Sequence, residues 1–191
     1  MPLGFNFLAN IYDKIFSSCG FESFLDHFKP TKDDIILELG AGTGCIAQHY
    51  HPHVKKTILL DPSPTMLVRA QRKLPDASIV IGSSDNLNLP TNSKINKILA
   101  YDSFHHWQKQ IIGLKEAYRI LKPGGFFIIV DININTFLGR FIKYSEHLLR
   151  MNSTFWKPEQ LEKVLLQIGF KSISYEIINP GVLFVLRATK A

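Results

Sequence analysis

Cysteine is scarce: Cys19 and Cys45 are the only two. Two thiols so placed make no disulfide framework, so the chain reads as one that works reduced, in a cytosolic setting. They are also too few for a thiolate-rich metal or metalloid site. Long apolar runs are missing as well. The longest, Gly125 to Val130 with its flanks, falls well short of the ~20 residues of a membrane span. The first residues show neither a charged n-region nor a clear cleavage site, so no signal peptide is expected. Dense charge is the third absence. Lys and Arg number 22 against 16 Asp and Glu, a net charge of +6. The excess is scattered, without a basic run or an Arg-rich tail, which argues against a nucleic-acid partner. Repeats, linkers and low-complexity stretches are absent too. The 191 residues therefore read as one α/β domain with its own core.

What is present is concentrated around Ile35 to Gly44, I-I-L-E-L-G-A-G-T-G. Ile35, Ile36, Leu37 and Leu39 suit a short, buried parallel strand. Gly40, Gly42 and Gly44 end it, allow positive φ and let a ligand approach the backbone. Cys45 to Tyr50 is expected to start a helix whose free N–H groups and positive dipole end point at that ligand. The pattern is that of a nucleotide-type site.

Strands and helices alternate from there. Lys56 to Asp61 is a second buried strand ending in an acid. Asp61 lies about 20 positions beyond Gly40, the spacing of an acid that binds ribose hydroxyls. Ser63 and Pro64 open a helix that runs to about Lys73. Ser78 to Ile81 is a third strand, followed by the polar loop Gly82 to Leu87. Lys94 to Tyr101 is a fourth, followed by Asp102-Ser103-Phe104-His105-His106-Trp107. A helix over Gln108 to Leu121 ends at Lys122-Pro123-Gly124-Gly125, and Phe126 to Asp131 is a fifth strand. This alternation predicts a doubly wound, mostly parallel sheet with helices on both faces. Its strand carboxyl ends would gather the glycine loop, Asp61, Ser83 to Asn86, His105, His106 and Asp131. Thr136 to Met151 and Pro158 to Ile168, closed by Gly169, are further helices. Lys171 to Ile177 and Val182 to Ala188, joined by Asn179-Pro180-Gly181, form a final hairpin, which puts an antiparallel last strand at a sheet edge.

Four motifs in this order resemble those of class I S-adenosylmethionine-dependent methyltransferases: E-L-G-A-G-T-G at 38–44, L-D-P-S-P-T-M-L at 60–67, G-S-S-D-N-L-N-L-P at 82–90 and E-A-Y-R-I-L-K-P-G-G at 116–125. The resemblance covers nearly the whole chain and implies a Rossmann-like, seven-stranded sheet with a reversed last strand. F-N-F-L-A-N-I-Y-D at 5–13 looks like the entry segment of the ubiquinone/menaquinone biosynthesis methyltransferases. The cofactor implied is S-adenosyl-L-methionine. Glu38 would face its methionine end, and Gly40, Ala41 and Gly42 would touch it by backbone. Asp61, with Pro62 beside it, would hold the ribose diol, and Met66 would pack on adenine. Ser83, Ser84 and Asp85 would lie at the adenine edge. Ser83 stands where the family carries an aspartate, so the adenine amino-group contact would pass to Asp85 or to a backbone carbonyl. Tyr101 and Asp102 would line the methionine end, with Phe104, His105 and His106 on the acceptor side.

Methyl transfer from a sulfonium is an in-line displacement that depends chiefly on proximity and orientation. A general base is needed only if the acceptor must lose a proton. His105 and His106 are the candidates, because histidine titrates near neutral pH. His49, His51 and His53 match no zinc spacing, and no metal site is expected. Two helical segments, 1–30 and 132–157, are left to shape the acceptor side. In the first, Phe5, Leu8, Tyr12, Ile15 and Phe16 fall at helical spacing. In the second, Phe137, Leu138, Phe141, Ile142, Leu148, Leu149 and Met151 are core, a pocket lid with Phe155-Trp156, or an apolar patch that Arg140, Lys143 and Arg150 would fit to a lipid surface. The expected partner is a small apolar or aromatic acceptor such as a quinone precursor or lipid head group. An RNA or protein acceptor would instead need a continuous basic face beside Asp102 to Trp107. A non-catalytic S-adenosylmethionine-binding protein is also open. A nicotinamide oxidoreductase is disfavoured, since the loop lacks G-x-G-x-x-G.

Overall fold

A computed structural model describes residues 24, 27–91, 93–178 and 181–191. The expectations for Phe5, Leu8, Tyr12, Ile15, Phe16 and Cys19 lie outside the described residues. Apolar runs of strand length alternate with amphipathic helices, and they fold in that order. The elements are β1 (Ile35–Leu39), α1 (Ala47–Tyr50), β2 (Lys56–Asp61), α2 (Pro64–Lys73), β3 (Ser78–Ile81), β4 (Ile95–Tyr101), α3 (Gln110–Ile120), β5 (Leu121–Ile132), α4 (Phe137–Leu148), α5 (Pro158–Ile168), β6 (Phe170–Ile178) and β7 (Leu183–Lys190). The seven strands form one sheet in the order β3-β2-β1-β4-β5-β7-β6. β1 pairs in parallel with both β2 and β4, so the chain order reverses at β1. In open α/β sheets ligands bind at the carboxyl ends of the strands at such a reversal.

The strands are buried on both faces because their apolar residues alternate between two helical layers. Leu37, Leu39, Ile98 and Phe127 pack with Leu114 and Ala117 of α3 and Leu161 and Leu165 of α5. Ile36, Leu59, Leu99 and Ile128 pack on the other side with Tyr50, Leu67, Ala70, Phe24 and Phe28.

Two expectations need correction. The last strand is antiparallel but is not at the edge: β7 lies between β5 and β6 and pairs antiparallel with both. Central placement follows from burial, since Leu183 to Leu186 are all buried while β6 exposes most of its residues. The helix after the glycines is one turn long, starting at Ala47 rather than Cys45. Three left-handed glycines (φ +73°, +53° and +73° at Gly40, Gly42 and Gly44) and Pro52 leave it no room. The α4 segment, left open as core, lid or apolar patch, turns most of its apolar side chains outward. Thr136 caps it by accepting from the Gly139 amide at 3.0 Å. Phe137, Leu138, Phe141, Tyr144 and Leu148 are exposed, as is Leu149 just beyond, while Gly139 is buried and Ile142 packs inward.

Candidate functional site

The turn after β1 is latched onto the end of β2. The amides of Gly40 and Ala41 donate to the Leu60 carbonyl at 2.8 and 3.1 Å, and Gly44 donates to the Ala41 carbonyl at 2.9 Å. The Gly42 amide donates to Asp61 Oδ2 at 2.9 Å. The amides of Gly40, Ala41, Gly42 and Gly44 are thus satisfied within the protein, as buried amides must be. Gly42 keeps open space where a Cβ would stand.

Asp61 is a double acceptor. Its Oδ1 takes the Ser63 amide at 2.8 Å while Oδ2 holds Gly42. Burial raises its pKa, and the Ser63 and Gly42 amides work against the shift. Pro62 is exposed beside it, and Met66 is buried on the first turn of α2. Ser63 caps that helix, accepting from the Met66 amide at 3.4 Å.

Glu38 is buried within β1 and accepts the Tyr50 hydroxyl at 2.7 Å. Burial pushes its pKa up to about 8; the Tyr50 hydrogen bond opposes this and the nearby Asp61 charge adds to it. Tyr101 ends β4 with its ring edge-on to Phe24, 5.5 Å between centroids. Asp102 follows at φ +48°, its amide donating to the Val130 carbonyl at 2.8 Å.

The segment after β3 is tied together by its own side chains and by α3. The Ser83 hydroxyl donates to Asp85 Oδ1 at 2.5 Å, and Lys109 pairs with Asp85 Oδ2 at 3.1 Å. Asp85 is thus held by its own surroundings, and the Ser83 bond lowers its pKa most. Ser84 is buried and faces α3, where a Cβ on Gly113 would come within 3.2 Å of its hydroxyl.

The His105-His106 turn joins residues far apart in sequence. His105 is 2 % exposed. Its amide donates to Asp131 Oδ2 at 3.0 Å, and its Nδ1 lies 2.6 Å from Asp131 Oδ1. Its Nε2 lies 3.6 Å from Glu146 Oε1, and its ring stacks on Phe155 at 4.7 Å and 11°. Burial works to lower its pKa, but Asp131, then Glu146 and Asp102, outweigh it and hold the imidazolium well above the usual range. His106 Nδ1 lies 3.0 Å from Ser153 Oγ. Burial and the neighbouring His105 charge push its pKa down to about 4. The two candidate bases therefore differ: their surroundings favour the protonated form of His105 and the neutral form of His106.

Sequence reasoning passed over Glu146 and Ser153. The available signal for the first was composition: Glu146 is the only acid between Thr136 and Met151. His49, His51 and His53 stand apart, ahead of β2, with His51 Nδ1 against Thr57 Oγ1 at 3.0 Å.

Residues 37–129 match the family model described as a methyltransferase domain. The 2-methyl-6-phytyl-1,4-hydroquinone methyltransferase of Spinacia oleracea is 30% identical over 153 residues, covering 76% of this chain and 42% of that protein. The demethylmenaquinone methyltransferase of Renibacterium salmoninarum is 24% identical over 176 residues, with 81% and 74% covered. The chain spans about half the length of the plant relatives it matches, 53% for that of Arabidopsis thaliana. Among solved structures, an S-adenosylmethionine-dependent methyltransferase of Thermotoga maritima superposes with a TM-score of 0.79 at 25% identity, covering 95% of both chains. An N-methyltransferase of Haemonchus contortus, solved with S-adenosylhomocysteine, shares the fold at a TM-score of 0.73 and 18% identity, over 89% of this chain and 52% of that one.

Proposed function

This chain belongs to the S-adenosylmethionine-dependent methyltransferase family, and from that premise we propose that it methylates a small apolar aromatic acceptor of the quinone-precursor type. The observation that carries the donor half is the latch of the glycine turn onto Asp61, at the carboxyl ends of β1 and β2. The relatives named for hydroquinone and menaquinone substrates support the acceptor half.

In this reading Glu38 meets the cofactor's ammonium, and the remaining lone pairs of Asp61 take the ribose hydroxyls. Met66 packs on adenine, and Tyr101 lines the methionine end. S-adenosylmethionine supplies the activated methyl group. The chain contributes position: a rigid turn, a clamped carboxylate and an aromatic wall hold two reactants in line, the main requirement for this displacement. The exposed face of α4, flanked by Arg140, Lys143 and Arg150, suits an acceptor with an apolar tail drawn from a lipid surface.

The test is an incubation with methyl-labelled S-adenosylmethionine and hydroquinones with and without isoprenoid tails, run with and without anionic vesicles. Label in a tailed hydroquinone is expected, with vesicles increasing the rate. Label in RNA or protein alone would overturn the acceptor reading. Failure to bind S-adenosylhomocysteine would overturn the donor reading.

Asp61→Ala is expected to weaken S-adenosylhomocysteine binding by ~1–3 kcal/mol through loss of charge-assisted hydrogen bonds. Calorimetric titration measures it, and unchanged affinity would remove Asp61 from the ribose.

Glu38 makes cofactor binding depend on pH. Its carboxyl is raised to about 8 in the ligand-free protein. A folded pKa above the unfolded one stabilises fully below the unfolded value, and that contribution fades as pH rises toward 8. A ligand ammonium favours the carboxylate, so binding releases a proton. Affinity should therefore rise between about pH 6 and 8, by at most about tenfold per unit. Titrations in two buffers of different ionisation heat report the proton directly. Glu38→Gln should flatten the dependence.

A further inference from the structure

We propose that His105, His106 and Glu146 bind one divalent transition-metal ion of the Zn2+ or Fe2+ class, between the end of β4 and α4. The ligand atoms these three side chains offer all lie within 4.8 Å of one another. Two come from the turn Phe104–His106 and one from the last turn of α4. The ion would displace the Nε2 proton that His105 holds in the metal-free protein, and both rings are already oriented. Asp131 Oδ1 holds His105 Nδ1 at 2.6 Å, the carboxylate behind a ligating histidine that metal sites use to set tautomer and ring direction. Ser153 Oγ lies 3.0 Å from His106 Nδ1 and fixes the second ring.

Two observations separate a metal cage from an ordinary ion pair. A charge-assisted N–H···O bond closes to about 2.7–2.9 Å. His105 Nε2 and Glu146 Oε1 stop at 3.6 Å. That is close to the roughly 3.4 Å between two ligands of a tetrahedral ion with bonds of ~2.0–2.1 Å. Glu146 Oε2 is also buried without a hydrogen-bond partner. Buried carboxylate oxygens are rarely left so, and a cation would satisfy it. Two imidazoles and one carboxylate favour Zn2+, Fe2+ or Co2+ over Mg2+ and Ca2+, which take oxygen cages. Three protein ligands leave a coordination position open. The ligands come from separate elements of the chain, so no motif spacing announces the site.

The test uses the untagged, full-length chain, stripped by chelator and titrated with Co2+ alone, then with Zn2+ in competition. We expect uptake of one equivalent of Co2+, visible ligand-field bands of a nitrogen–oxygen site, and displacement by Zn2+. Glu146→Gln and His106→Gln should abolish the bands. Asp131→Asn, one step behind the metal, should weaken binding about 10–100-fold. S-adenosylhomocysteine affinity and melting temperature, read in each variant, separate loss of the site from loss of the fold. Folded wild-type protein that takes up no Co2+ or Zn2+ overturns the proposal. So does stoichiometric uptake that persists in folded Glu146→Gln or His106→Gln, which would assign the ion to another group such as His49, His51 and His53. No methyl acceptor enters this readout, so its outcome is independent of the acceptor reading.

Discussion

Asp131→Ala should lower the unfolding free energy by about 3–5 kcal/mol, the cost of removing one partner from a buried ion pair. Asp131 holds three donors at once: the His105 amide at 3.0 Å, His105 Nδ1 at 2.6 Å and the Ile132 amide at 2.7 Å. Its side chain and that of His105 are 4% and 2% exposed, so water cannot replace what is lost. The truncation leaves a buried imidazolium facing a void and two amides without their acceptor. For a chain of this size the melting temperature should fall by on the order of 10 °C. Asp131→Asn keeps one acceptor oxygen and should cost less. Urea unfolding measures both. A loss under about 1 kcal/mol for the alanine variant, the range of an exposed pair, would show that the pair is not insulated as its burial implies.

Gly40→Ala is expected to cost about 2–5 kcal/mol, the sum of backbone strain and overpacking. Gly40 has φ +73°, and a Cβ there would lie 2.6 Å from Ser103 Cβ and 2.8 Å from its Oγ. Ser103 has little room to yield, because its hydroxyl donates to the Leu39 carbonyl at 2.8 Å. The same change also displaces the end of β1 and should reduce S-adenosylhomocysteine binding. Gly42→Ala is the control. It carries φ +53° but meets nothing within 4 Å, so only strain of ~1–2 kcal/mol applies. In the proposed site that open space is the cofactor's, and Gly42→Ala should lose ligand affinity out of proportion to stability. Wild-type affinity in Gly42→Ala would show that the cofactor does not lie against this turn.

The strands around the glycine turn were legible because their signals are local. Ile35 to Leu39 and Lys56 to Asp61 are apolar runs closed by turn chemistry, and both form as read. Ser63 and Pro64 announce α2, and Gly169, at φ +118°, closes α5. The errors arose where a residue's neighbour is distant in sequence. Leu183 to Leu186 read as a hairpin strand, yet their place beside β5 depends on pairing such as Val130 with Val185. The stripe of α4 fits core, lid or patch, and only the packing of Gly139 and Ile142 shows which side turns inward.

The opening motif and its relatives along the chain are thus a property of sequence. Side-chain periodicity, turn residues and the acid about 20 positions beyond Gly40 act within one strand–turn–helix unit. They suffice to lay out the alternating strands and helices and a nucleotide-type site at the strand ends; the donor followed from the resemblance of four motifs to the methyltransferase family. The raised pKa of Glu38, the engagement of Asp61 by the turn and the charges that surround His105 were decided by tertiary structure. Those properties come from burial and from charges brought within a few ångströms by the fold. Desolvation and Coulomb energy depend on distance in space, not along the chain.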